Sequence, residues 1–171
     1  MRTDRKSLHF LLFLIITAAA VWADQFTKRL AVEHLKLREP VVLIPGVLGF
    51  LRIENTGAAF GILKGHMSLF YIITALVGIV ILYVIFRLPT VRKYRPLLLA
   101  LSLIAAGAIG NLIDRVTRKS VIDFIYFVPV DFPVFNVADI FVTCATASLM
   151  FLILFYYRDE EFDFLKKDRA S

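Results

Sequence analysis

The sequence predicts an α-helical integral membrane protein with four transmembrane helices. It also predicts a small β-rich cradle on the outer side and a short amphipathic helix at the interface. Three observations carry this. The chain has 171 residues, is 59% hydrophobic and has a mean hydropathy of +0.76, well above the roughly half-apolar make-up of soluble domains. Four stretches lack Asp, Glu, Lys and Arg for about the ~17–25 residues that cross a bilayer. The basic residues gather at the ends of those stretches, where membrane flanks carry them.

The four stretches are Ser7 to Ala23, Gly65 to Phe86 (apolar from Met67), Pro96 to Ile113, and Ile140 to Tyr157. In hydrocarbon each must be helical, because every backbone polar group needs an internal partner. With the outer connections 24–66 and 114–139 they make one membrane domain spanning 1–171. Four spans place both termini on one side. Arg2, Arg5, Lys6, Arg87, Arg92, Lys93, Arg95, Arg158, Lys166, Lys167 and Arg169 lie on that side. They are eleven basic residues in roughly 30 positions, against nine in roughly 67 on the other, so that side is the cytoplasm. A cleavable signal peptide ending near Ala18-Ala19-Ala20-Val21-Trp22-Ala23 is the rival reading of the first span. Its apolar stretch is long for that, and removing it would leave three spans with the termini on opposite sides.

Between the first two spans, Asp24 to Arg38 reads as a short helix lying along the interface, with Phe26, Leu30 and Leu35 on its apolar side. Val41-Val42-Leu43-Ile44-Pro45-Gly46-Val47 is β-branched and punctuated by Pro and Gly, which predicts short strands. Val121 to Val128 reads the same way, and one apolar sheet would unite them. The net charge of +6 fits membrane flanks better than nucleic acid, and no nucleic-acid partner is expected. Cys144 is the single cysteine, and His9, His34 and His66 lack ligand spacing, so neither a metal nor another cofactor is expected.

The polar residues gather at one level. Span one ends at Asp24, span three at Asn111, Asp114 and Arg115, and span four begins at Asn136 and Asp139; Asn55 and Asp123 lie in the outer connections. No span carries an acidic residue in its middle, which disfavours an ion path through the bilayer and so a transporter or channel. Gly107, Asn111, Asp114 and Arg115 share a helical face, and Gly107 and Gly110 permit close approach. Asp114 is expected to pair with Arg115 or Lys28. Taken singly, Gly107-x-x-Gly110 most simply means packing, Asn55-Thr56-Gly57 a turn, and Asp24 an interfacial charge. Taken together, Asp123 and Asp139 suggest a dyad that shares a proton and activates water for amide hydrolysis. A non-catalytic assembly factor, with the aspartates tethering partners, is the alternative. Lys119-Ser120 is a poor dyad, since strand neighbours point to opposite faces.

These residues resemble the bacterial lipoprotein signal peptidases (signal peptidase II), four-span aspartyl proteases. The resemblance covers nearly the whole chain. It rests on Asp24 with Lys28, Asn55-Thr56-Gly57-Ala58-Ala59-Phe60, Gly107-Ala108-Ile109-Gly110-Asn111-Leu112-Ile113-Asp114-Arg115, Val121-Ile122-Asp123-Phe124 and Phe135-Asn136-Val137-Ala138-Asp139. It implies that Asp123 and Asp139 are catalytic. Asn55, Asn111, Arg115, Asn136 and Gly107 would position substrate or support the pair, and Asp24, Lys28, Asp114, Gly57 and Ala138 would hold the frame. The implied substrate is a prolipoprotein whose lipobox Cys carries diacylglycerol, cut on the amino side of that Cys by a globomycin-sensitive enzyme. The enzyme would work among membrane lipids as a monomer, in the inner membrane, with its site near the periplasmic face.

Overall fold

The computed structural model describes residues 2–57, 67–130 and 132–166, with side chains from residue 7 onward. Ala58, Ala59 and Phe60 of the Asn55 motif, together with Lys64, Gly65 and His66, lie outside the described residues, as do Lys167 and Arg169. Four helices are long and apolar enough to cross a membrane.

The first, α1, runs unbroken from Arg2 to His34. No Gly or Pro interrupts it. The expected separate interfacial helix at 24–38 is therefore corrected: residues 24–34 continue the span. Asp24, Lys28 and Ala31 recur at helical spacing and are buried, so this stretch keeps packing against the bundle. The hairpin that follows pairs β1 (Pro40–Ile44) with β2 (Leu48–Asn55) in antiparallel register. Its turn is dictated by Pro45-Gly46. Gly46 has φ +70°, and the Val47 N–H donates to the Ile44 carbonyl at 3.0 Å, as a turn with Pro then Gly at its centre requires.

Helix α2 (Met67–Arg87) leads through a short basic link to α3 (Arg95–Arg118). Pro96 sits in the first turn of α3, where its missing N–H costs nothing. Lys119, at φ 62°, closes its other end by donating its N–H to the Arg115 carbonyl. Strand β3 (Val121–Phe127) then adds to β2, giving a three-stranded antiparallel sheet in the order β1-β2-β3. Helix α4 (Val137–Phe151) continues into a π-helical turn, Leu152–Tyr156.

Chain order puts the sheet at one end of the bundle, where α1 and α3 end and α2 and α4 begin. Helix α3 is the central helix, packed on α1, α2 and α4. At the opposite end Phe13, Ile81, Ile85, Leu88, Leu101, Leu152 and Tyr157 form the main apolar core. A second cluster, Ala31 with Ile122 and Phe124, seats β3 on α1. Strand alternation then turns Asp123, between those two, away from α1.

Candidate active site

The site is built where β3, the loop after it and the first turn of α4 meet α3. Asp123 lies opposite Ile53 in the β2–β3 register, and Asn55 is two residues beyond Ile53 on the same face. This diagonal relation explains why Asn55 Nδ2 donates to Asp123 Oδ2 at 2.9 Å. The loop after β3 folds back along it. The Phe124 and Ile125 N–H groups both donate to the Phe135 carbonyl, and the Phe135 N–H donates to the Ile125 carbonyl. Asn136 therefore arrives beside Asp123, and its Nδ2 donates to Asp123 Oδ1 at 2.6 Å.

Asn136 also caps α4. Its side-chain oxygen accepts from the Asp139 N–H, and Asp139 Oδ2 accepts from the Asn136 N–H, each at 3.1 Å. This reciprocal pair satisfies two donors that a helix start leaves unpaired. Asn111 Nδ2 donates to the other oxygen of Asp139, Oδ1, at 2.9 Å. A single residue thus joins the two aspartates, and all four of their carboxylate oxygens accept hydrogen bonds.

Asp123 is 2% exposed. Burial pushes its carboxyl from the ordinary 3.8 up to about 7; the Asn55 hydrogen bond opposes the rise, the charge of Asp139 adds to it, and the Asn136 bond opposes it. Both aspartates line one cavity of about 310 Å³ with Asn55, Gly57, Asn111, Arg115, Val121, Thr143 and the segment Phe132-Pro133-Val134-Phe135. Arg115 stacks over Phe70 at 4.0 Å and donates to the Gly57 and Asn111 carbonyls at 3.3 Å. Its Nε has no hydrogen-bond partner among the described residues.

Behind the cavity lies a buried ionic cluster. Lys28 Nζ sits 2.9 Å from Asp24 Oδ2 and 3.0 Å from Asp114 Oδ2, so of the two expected partners of Asp114, Lys28 is the one found. Asp24 Oδ1 accepts from the Ala138 N–H at 2.9 Å, and Asp114 Oδ2 from the Ile122 N–H at 3.2 Å. Asp24 is not a plain interfacial charge: it is fully buried and holds the start of α4. Asp114 likewise ties β3 to α3. A Cβ on Gly107 would meet the Ala138 carbonyl oxygen and Val142 Cγ2 at 2.5 Å, and one on Gly110 would run into the Asp24 carboxylate. Gly107 accordingly sits in the α3–α4 contact and is not among the residues lining the cavity. Among the described residues no group of three or more His, Cys, Asp or Glu is arranged to hold a metal ion.

Several participants escaped the sequence reading. Gln25 Nε2 lies within hydrogen-bonding reach of Asp24, Asp114 and the Gly110 carbonyl. As a polar residue one step from Asp24 it was findable. Thr143, four residues after Asp139, was findable from helical spacing. Phe70 and Tyr71, the latter donating to the Arg115 carbonyl, sit in an apolar span and carry no such signal.

Comparison with known proteins identifies the family. The family model for signal peptidase (SPase) II matches residues 16–155. The lipoprotein signal peptidase of Halalkalibacterium halodurans is 41% identical over 152 residues, covering 88% of this chain and 94% of the relative. That of Geobacillus kaustophilus is 42% identical over 148 residues, covering 85% and 94%. A bacterial membrane enzyme solved by the in meso method at 2.3 Å resolution superposes with a TM-score of 0.75 at 32% identity, covering 94% of each chain. On a family match across most of its length, close relatives and a shared membrane fold, this chain belongs to the signal peptidase II family of membrane proteases.

Proposed function

We propose that this chain removes signal peptides from prolipoproteins by using Asp123 and Asp139 to activate water. The observation that carries the reading is two aspartates from different elements lining one cavity and joined through Asn136. Asp139 acts as the base. Its carboxylate accepts from the Asn136 N–H and the Asn111 amide at the N-terminal turn of α4, where the helix dipole favours negative charge. Asp123 keeps the shared proton, in line with a carboxyl raised to about 7.

In the forward step Asp139 takes a proton from water, the hydroxide adds to the scissile carbonyl carbon, and Asp123 gives its proton to the carbonyl oxygen. The tetrahedral intermediate then collapses. The C–N bond breaks, the leaving nitrogen takes the proton from Asp139, and the intermediate returns a proton to Asp123. No covalent enzyme intermediate forms. Asn55, Asn111 and Asn136 hold the pair, and Arg115, whose side chain lines the cavity, offers its guanidinium to a substrate carbonyl. Gly107 serves by letting α4 approach α3, and Asp24, Lys28, Asp114, Gly57 and Ala138 keep the frame.

The relatives' name, lipoprotein signal peptidase, supports a prolipoprotein substrate. The family resemblance adds the finer reading: a lipobox Cys bearing diacylglycerol, cleavage on its amino side, and inhibition by globomycin-type compounds. The enzyme is one membrane domain over 1–171, working as a monomer among inner-membrane lipids with both termini in the cytoplasm. A diacylglyceryl anchor would hold the scissile bond at the periplasmic rim, the level of the sheet end in this orientation.

The deciding experiment is gel-shift cleavage of a diacylglyceryl-modified preprolipoprotein by purified protein. Asp123→Asn and Asp139→Asn should each abolish cleavage while the protein still folds and inserts, and EDTA should leave the wild type active. Normal rates in both variants would refute the dyad.

A further inference from the structure

The geometry points to Lys28 as a positioning residue for the hydrolytic site, acting on Asp139 through the side-chain amide of Asn111. This rests on the reading of Asp123 and Asp139 given above. An asparagine amide has two faces of nearly equal shape, one donating and one accepting, so something must choose its orientation. The three asparagines of the site solve this in the same way. Each carbonyl oxygen accepts from a group that can only donate, which turns each NH2 toward an aspartate. For Asn55 the donor is the Gly57 N–H at 2.9 Å, and for Asn136 it is the Asp139 N–H at 3.1 Å. For Asn111 it is the Lys28 ammonium, at 2.8 Å. The Asn136 amide, which has two N–H groups, also donates to Asn111 Oδ1 at 3.2 Å beside its 2.6 Å bond to Asp123; Lys28 makes the shorter contact and is the one that carries charge.

An ion pair with Asp24 and Asp114 alone would leave one ammonium proton unspent. Lys28 spends it on Asn111, and its side chain is 3% exposed, so water does not compete. An amide whose carbonyl is held by a buried cation is a stronger donor on its other side. The hydrogen bond from Asn111 to Asp139 is therefore aimed and strengthened from α1. The charged groups around this line are Asp24 on α1, Asp114 and Arg115 on α3, Asp123 on β3 and Asp139 on α4.

Lys28→Met alone would strand two buried carboxylates and destabilise the fold. The test therefore uses Lys28→Met/Asp114→Asn, which keeps the cluster at one net negative charge and leaves an acceptor for the Ile122 N–H. Cleavage of the lipidated preprolipoprotein is measured across pH for wild type, this pair, Asn111→Ala, and the three changes combined. The pair should fold and keep KM within about twofold, with kcat down about 10- to 100-fold, as for a small misplacement of a reacting group. The acidic limb of its kcat profile should move to higher pH. In the Asn111→Ala background the same pair should cost no more than about a further twofold, because the path is already cut.

Wild-type kcat and an unmoved acidic limb would overturn the assignment. So would a full additional loss in the Asn111→Ala background, or a pair that fails to fold, which would give Lys28 to stability alone. Asp139→Asn, run alongside, separates the two ideas: cleavage surviving there defeats the dyad itself, whereas its loss beside a normal Lys28 pair defeats only the positioning role.

Discussion

Asp123 is the residue whose environment makes the sharpest demand. A carboxyl that titrates near 7 in the folded protein, against an ordinary 3.8, binds a proton over a window in which the unfolded chain has lost it. Its contribution to stability is fully present below about pH 4 and is lost as pH rises through about 7. Thermal midpoints should therefore decline between those pH values more steeply in the wild type than in Asp123→Asn, which has no such group to titrate. In the proposed mechanism this is the proton given to the scissile carbonyl oxygen. Cleavage by the wild type should fall as pH rises past about 7, checked by a rate profile with lipidated substrate. A profile still rising at pH 8 would mean that Asp123 works ionised.

At the scale of elements, the contact between α3 and α4 decides whether the two aspartates can meet. Asp139 rides on the first turn of α4, and that turn is set by what Gly107 and Gly110 leave empty. Gly107→Ala would press a methyl group against the Ala138 carbonyl and Val142. It should cost about 1–3 kcal/mol, the usual penalty for overpacking a filled contact, and reduce cleavage by displacing Asp139. Gly78, on α2, has nothing within 4 Å of an added Cβ. Gly78→Ala should stay within about 1 kcal/mol of wild type, on the stabilising side, because alanine is the better helix former. Thermal unfolding in one detergent reports both. Equal losses would mean that the close approach at Gly107 is unimportant.

For the whole molecule, the distribution of exposed surface follows the bilayer. Helix α2 buries only Ile81 and Ile85 among its described residues, and Ile72, Leu76, Ile79 and Val80 are more than half exposed. Such a face is tolerable against lipid and would be a liability in water. The orientation proposed from the basic residues can be checked directly. With Cys144 replaced by Ser, a cysteine at exposed Lys119 should react with an impermeant thiol reagent from the periplasmic side of intact cells. Labelling only after the cytoplasmic face is opened would reverse the topology.

Much of this was written along the chain. Runs without charge specify spans because hydrocarbon leaves a backbone no choice but the helix. Pro45-Gly46 specifies a turn, and the spacing of Asn136 from Asp139 specifies a capped helix start. Even the level at which the polar residues gather follows from counting spans. What the chain order left open is which polar group faces which. Residues 24–38 read as a separate surface helix because Phe26, Leu30 and Leu35 make an apolar side, and only packing against α3 shows Asp24 and Lys28 to be a buried pair. Asn111 finds Lys28 on one side and Asp139 on the other across 83 and 28 residues of sequence. Local periodicity determined what each segment is, since that depends on neighbours three or four residues away. The assembled bundle alone decided which distant donors the two aspartates would share, because hydrogen bonds act over about 3 Å and take no account of position along the chain.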